Sequence, residues 1–110
     1  MAAQSDDDVS REFSEQVNMT KGELSRWLDT DESQEVGYAP EGGESVGHEM
    51  GRHIVDILGT KKADLTEDDY AHMRKVHGYI SRHLAQRPDG DITETRWRYS
   101  LMNWGHDPLK

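Results

Sequence analysis

The sequence contains no cysteine among its 110 residues, which excludes disulfides, cysteine-based zinc sites, iron–sulfur clusters and thiol chemistry. Large apolar residues are scarce as well. Ile, Leu, Val and Phe together fill 18 of 110 positions, about 16%, within the range where disorder competes with folding. No stretch approaches the ~18 consecutive apolar residues of a membrane span, and no short apolar run reads as a secretory leader. A cytoplasmic protein without a membrane partner is therefore expected. Sustained apolar/polar alternation is missing, so no strand is predicted, and no segment repeats.

Charge is abundant and unevenly placed. The formal net charge is −9. Residues 1–50 carry 13 Asp and Glu against Arg11, Lys21 and Arg26, whereas residues 51–110 carry 9 acids against 10 Lys and Arg. Five of the six histidines lie in that second half. The front reads as a solvated acidic segment, and any contact with a polyanion belongs to the back.

Apolar spacing predicts an all-α chain, a small bundle of about five helices. Residues 1–18 form an acidic N-terminal segment. In it, Ser5 caps a short helix whose stripe of Val9, Phe13 and Val17 either docks on the remainder or frays. Residues 19–110 form a single helical domain. Thr20 with Glu23 makes a capping box for a second helix bearing Leu24, Trp27 and Leu28. Residues 31–44, acidic and containing Gly and Pro, are assigned to a loop. A third helix is expected from Ser45 to about 59, with Val46, Met50, Ile54, Ile57 and Leu58 on one face. Gly47 and Gly51, one turn apart in it, signify either a close helix–helix approach or a frayed first turn. The fourth helix, about 66–87, opens with Thr66 and Asp69 and carries Tyr70, Met73, Val76, His77, Ile80 and Leu84 on one sector. Asp91 is read as the cap of a fifth, about 92–104, with Trp97, Leu101 and Trp104 inward. The last three helices are expected to form the core. Their apolar inventory is modest enough that a docked second helix, a protein partner or a homodimer would help stabilise them.

Motifs for chemistry are thin. His48 and His53 stand five apart. That spacing separates them by about 140° on a helix, where the HExxH zinc motif needs four. His72 and His77 share the defect, so no metal ligands and no cofactor are assigned. No serine sits in a nucleophile elbow, and the Gly-containing run from Glu41 to Glu44 is flanked by acids that repel phosphate. The chain is read as a non-enzyme. Nucleic-acid binding has a better basis. Lys75, Tyr79, Arg82 and Gln86, with Arg74 beside them, face away from the apolar stripe of the fourth helix. Arg96, Tyr99 and Asn103, with Arg98 alongside, form a second polar face on the fifth. Arginine and lysine hold phosphates, Asn and Gln match adenine edges, and an exposed Tyr stacks on bases. The net negative charge opposes such contacts, so binding would be weak and salt-dependent.

Three segments carry a family likeness: GESVGHEMGRHIVDIL (43–58), ADLTEDDYAHMRKVHGYISRHLAQRPDGD (63–91) and TRWRYSLMNWGHDPLK (95–110). Through them the chain, from about Val17 to its C-terminus, resembles a family of small bacterial and fungal proteins of unknown function, often labelled DNA-binding. The resemblance implies a DNA-binding accessory role and brings no catalytic residues with it. The alternative is a protein-interaction or stress-associated accessory module that binds no nucleic acid.

Overall fold

Short polar side chains decide where most of the helices begin. In the computed structural model, which describes residues 5–36 and 46–110, the Ser5 hydroxyl accepts the Asp8 amide at 3.2 Å and opens α1 (Asp6–Gln16). Thr20 and Glu23 form the expected reciprocal box at the start of α2 (Lys21–Leu28). Thr66 and Asp69 do the same for α5 (Glu67–Leu84). Each cap satisfies amides that have no partner within their own helix.

Three boundaries differ from expectation, the first being the end of α5 at Leu84, which leaves Gln86 and Arg87 beyond the helix. The acidic stretch after Thr30 is not all loop, because the Thr30 hydroxyl accepts the Ser33 amide at 3.2 Å and starts a short α3 (Asp31–Glu35). Such a helix has no apolar period to betray it, only a cap. The final helix, α6 (Arg96–Asn103), begins four residues later than Asp91 would place it. Asp91 turns its carboxylate onto the Thr93 amide at 2.9 Å, an Asx turn, and Thr95 provides the cap. The third predicted helix is α4 (Val46–Leu58). Its proposed start at Ser45 and the run from Glu41 to Glu44 lie outside the described residues. A single 3-10 turn, Lys62–Asp64, joins α4 to α5. No strand occurs among the described residues, and no helix there is long and apolar enough to cross a membrane.

The elements pack as a small all-helical bundle. α1 docks rather than frays: Val9, Phe13 and Val17 are buried in one cluster with Tyr70, Met73, Val76 and Ile80 of α5. Leu24 and Leu28 from α2, Ile54 and Ile57 from α4, and Leu101 and Trp104 at α6 complete it. The core therefore draws on α1 and α2 as well as on the last three helices. Acids at the start of α1 reach cations near α5, with Asp7 at 2.8 Å from Lys62 and Asp6 at 3.7 Å from Arg74.

Of the two explanations for Gly47 and Gly51, the structure realises the close approach. A Cβ on Gly51 would lie 2.5 Å from the Asn103 carbonyl oxygen and 2.7 Å from Leu28 Cδ2. The far end of α6 closes in a Schellman motif, with the Gly105 amide on Met102 O and the His106 amide on Leu101 O, both at 3.0 Å. Gly105 has φ +82°, a left-handed conformation that costs other residues about 1–2 kcal/mol. From this corner Gly105 O accepts the Met19 amide, and His106 Nδ1 lies 2.6 Å from Gln16 O. The C-terminal turn is thus sewn to the end of α1.

Candidate nucleic-acid interface

The polar residues nominated on α5 and α6 have different fates. On α5, Lys75 and Arg82 are exposed, and so is Gln86 in the turn beyond its end at Leu84. Lys75 and Arg82, seven residues apart, stand almost in line along one side, over about 10 Å of helix. Arg74 is exposed beside them, with Asp6 within ion-pair distance. Tyr79 departs from the expected role. Its ring lies parallel to that of Trp104 at 4.0 Å and faces His83 at 5.0 Å. It is half-buried, and burial pushes its hydroxyl pKa up, against a hydrogen bond with Ser100 that lowers it. A half-buried ring already stacked against two neighbours is not an open platform for a base.

On α6 the second polar face is largely consumed by packing. The helix is eight residues long and contacts α2, α3, α4 and α5, so little of its circumference meets water. Asn103 is only 1% exposed. Its Oδ1 accepts from Trp27 Nε1 at 2.7 Å and Ser33 Oγ at 2.5 Å, while its Nδ2 donates to Ser33 O at 3.0 Å. An amide spent in this way does not reach an adenine edge. Tyr99 is half-buried, with its ring 5.3 Å from that of Trp27. Arg98 is engaged internally, its Nε and Nη2 donating to the two Asp107 oxygens at 3.2 and 3.1 Å and its Nη1 to Thr93 O at 2.8 Å. Arg96 alone remains outward, with Nη2 3.5 Å from Glu35 O. The exposed set is thus Arg74, Lys75, Arg82, Gln86 and Arg96.

The Arg98–Asp107 pair has a testable signature. Burial pushes the Asp107 carboxyl up, yet the hydrogen bonds from Arg98 and the Leu109 amide outweigh it and hold the pKa below the usual carboxylate value. A depressed folded-state pKa contributes stability above the unfolded value, near pH 4, which is lost as pH falls through the folded one. Arg98→Ala should therefore cost about 2 kcal/mol at neutral pH, and less in acid. Arg82→Ala on the open face should stay within about 0.5 kcal/mol. Urea denaturation at neutral and acid pH measures both.

Two groupings come from tertiary contact alone. His53 on α4 and His72 on α5 bring their rings to 3.7 Å, with His53 Nε2 at 3.1 Å from Asp69 Oδ1. Among the described residues no three or more His, Asp or Glu side chains are placed to hold a metal ion. Near the junction of α5 and α6, Trp97 Nε1 donates to His83 O at 2.7 Å, and the Arg87 guanidinium lies over the indole at 5.7 Å. This bond pins the start of α6 to the last turn of α5. It brings Trp97 beside Arg87. Sequence reading does not single out Arg87, which stands at the very end of the expected helix and in the structure lies beyond the end of α5 at Leu84; its meeting with Trp97 is a tertiary contact.

Fold and surface together define a small all-helical protein with a partly cationic side on α5. The chain belongs to the family described as protein of unknown function (DUF3140), which matches residues 12–102. No curated protein and no solved structure matches it.

Proposed function

We propose that the protein is a non-catalytic nucleic-acid-binding accessory protein, touching phosphates through the open side of α5. The observation that carries this reading is the alignment of Lys75 and Arg82 on α5, both exposed and without an ion-pair partner among the described residues, with Gln86 exposed just past the helix end and Arg96 exposed at the start of α6. Lysine and arginine heads at such spacing suit a phosphate backbone, and a flanking amide suits a base edge. The label often given to proteins it resembles agrees. A net charge of −9 supplies no attractive long-range field, so affinity comes from short-range contacts and is weak.

Fluorescence anisotropy of a labelled duplex at low and moderate salt tests the proposal. With about three phosphates neutralised, log K should fall against log salt with a slope near −3. Arg82→Ala and Arg96→Ala should each make the slope shallower by about 1. No binding at low salt removes the reading.

A second reading is favoured by α3, whose Asp31, Glu32 and Glu35 side chains are exposed and form no ion pair among the described residues. They suit a basic protein partner in the manner of an interaction module. Changing the three to Asn and Gln tests this without touching the core, whereas deleting residues 1–44 would remove Val9, Phe13, Leu24 and Leu28 from it.

A further inference from the structure

Four rings and a guanidinium line up where α5 meets α6. Trp104 lies parallel to Tyr79, Tyr79 to His83, and His83 to Trp97, with interplanar angles of 10°, 15° and 11°. Tyr79, His83 and Arg87 follow one another at four-residue steps. The inner end of the series is closely packed, with Tyr79 and Trp104 centroids 4.0 Å apart. The outer end is looser: Trp97 is 6.2 Å from His83 and 5.7 Å from the Arg87 guanidinium carbon.

We infer that Trp97 and Arg87 form a clamp for one unpaired nucleobase, which makes single-stranded nucleic acid the preferred ligand; this rests on the nucleic-acid reading above. A base sandwiched between indole and guanidinium needs about 7 Å, two contact spacings of ~3.5 Å. The guanidinium carbon lies 5.7 Å from the indole centroid, so Arg87 must draw back by about 1 Å or more to admit a base. Arg87 is exposed and lies beyond the last residue of α5, so its side chain can yield that distance. Trp97 is half-buried and its Nε1 is fixed on His83 O, which holds the ring in place. Aromatic and guanidinium faces stack on any base, and a base paired in a duplex offers no free face.

The charge around the clamp leaves room for stacking beside phosphate capture. Arg82, Arg87 and Arg96 are matched by Asp89, Asp91 and Glu94 on the connecting turn, all exposed. Beside those acids the long-range field is weak, so the phosphate contacts alone give modest affinity. A contact that does not depend on net charge adds to them, and a π-face supplies one.

The experiment compares three labelled ligands of equal length on the full chain: an oligothymidylate, the same backbone with abasic sites, and a duplex. The oligothymidylate should bind about tenfold more tightly than the abasic strand and quench part of the tryptophan emission. Arg87→Ala, a change beyond the helix end, should erase the difference, and Trp97→Phe should reduce it with circular dichroism unchanged. Equal affinity for thymidylate and abasic strands, unaltered by Arg87→Ala, overturns the clamp while salt-dependent duplex binding still upholds the phosphate contacts. Binding of none of the three overturns both.

Discussion

Asn103→Ala is expected to cost about 3–5 kcal/mol, because a fully buried amide is removed from three partners at once. Trp27 Nε1–H and the Ser33 hydroxyl lose their common acceptor, and Ser33 O loses its donor. Ser33 is 0% exposed, so water does not replace what is lost there. Trp27 is half-buried and recovers part of its hydrogen bonding from solvent. The three residues come from α2, α3 and α6, so the change loosens three helices together. A domain of this size has about 5–15 kcal/mol in total. The melting temperature should fall by more than 10 °C, on the order of 4 °C per kcal/mol. Asn103→Asp separates hydrogen bonding from shape. The carboxylate keeps an acceptor for Trp27 but turns a second oxygen toward Ser33 O, and a buried charge without a cation is costly. Burial raises the pKa of such an acid, so the penalty is present above that pKa and relieved as pH falls through it, when the acid can donate to Ser33 O. Asn103→Asp should thus recover toward wild type in mild acid, while Asn103→Ala should not. Thermal melts of both variants at neutral and acidic pH measure this.

The same residue marks where sequence reasoning stopped. Helix starts at Ser5, Thr20 and Thr66 were legible because a cap and its amide lie three residues apart, and that chemistry is local. The stripe of Val9, Phe13 and Val17 was legible as an apolar face. Its docking on α5 was left open because spacing says which side of a helix is apolar and not what covers it. For Asn103 the wheel placed a polar group opposite an apolar one, which on a helix packed on one side would be solvent. α6 instead packs against four other helices, and its polar side is interior too. Arg98 was misjudged for a related reason, since its acid, Asp107, lies nine residues on, past the Schellman turn at Gly105. No helical periodicity connects the two. Lys75 and Arg82 lie on an open face, as the wheel expects, because α5 is long and buries only the single stripe of Tyr70, Met73, Val76 and Ile80, whereas Gln86 is exposed because the helix has already ended at Leu84.

Gly51→Ala and Gly78→Ala, two glycine replacements inside helices, should have opposite effects on stability. Helix propensity favours alanine over glycine at either position by about 1 kcal/mol. At Gly78 a Cβ would meet only the Arg82 guanidinium, at 3.1 Å. That is the tip of a flexible exposed side chain that can move aside, so the gain survives and Gly78→Ala should stabilise by about 0.5–1 kcal/mol. At Gly51 the Cβ would fall 2.5 Å from the Asn103 carbonyl oxygen and 2.7 Å from Leu28 Cδ2. One obstacle is backbone and the other is a leucine that is 4% exposed, so neither can step into solvent. Relief requires α4 to move away from α6, and that displacement pulls on the Asn103 cluster from the other side. Overpacking of this kind costs about 1–3 kcal/mol, and disturbing the buried hydrogen bonds adds to it. Gly51→Ala should therefore lower stability by about 2 kcal/mol or more despite its better propensity. Urea denaturation of the two variants side by side decides the matter. Stabilisation at both positions would mean that α4 and α6 stand further apart than 2.5 Å allows, and the explanation of Gly51 as a contact residue would fail with it.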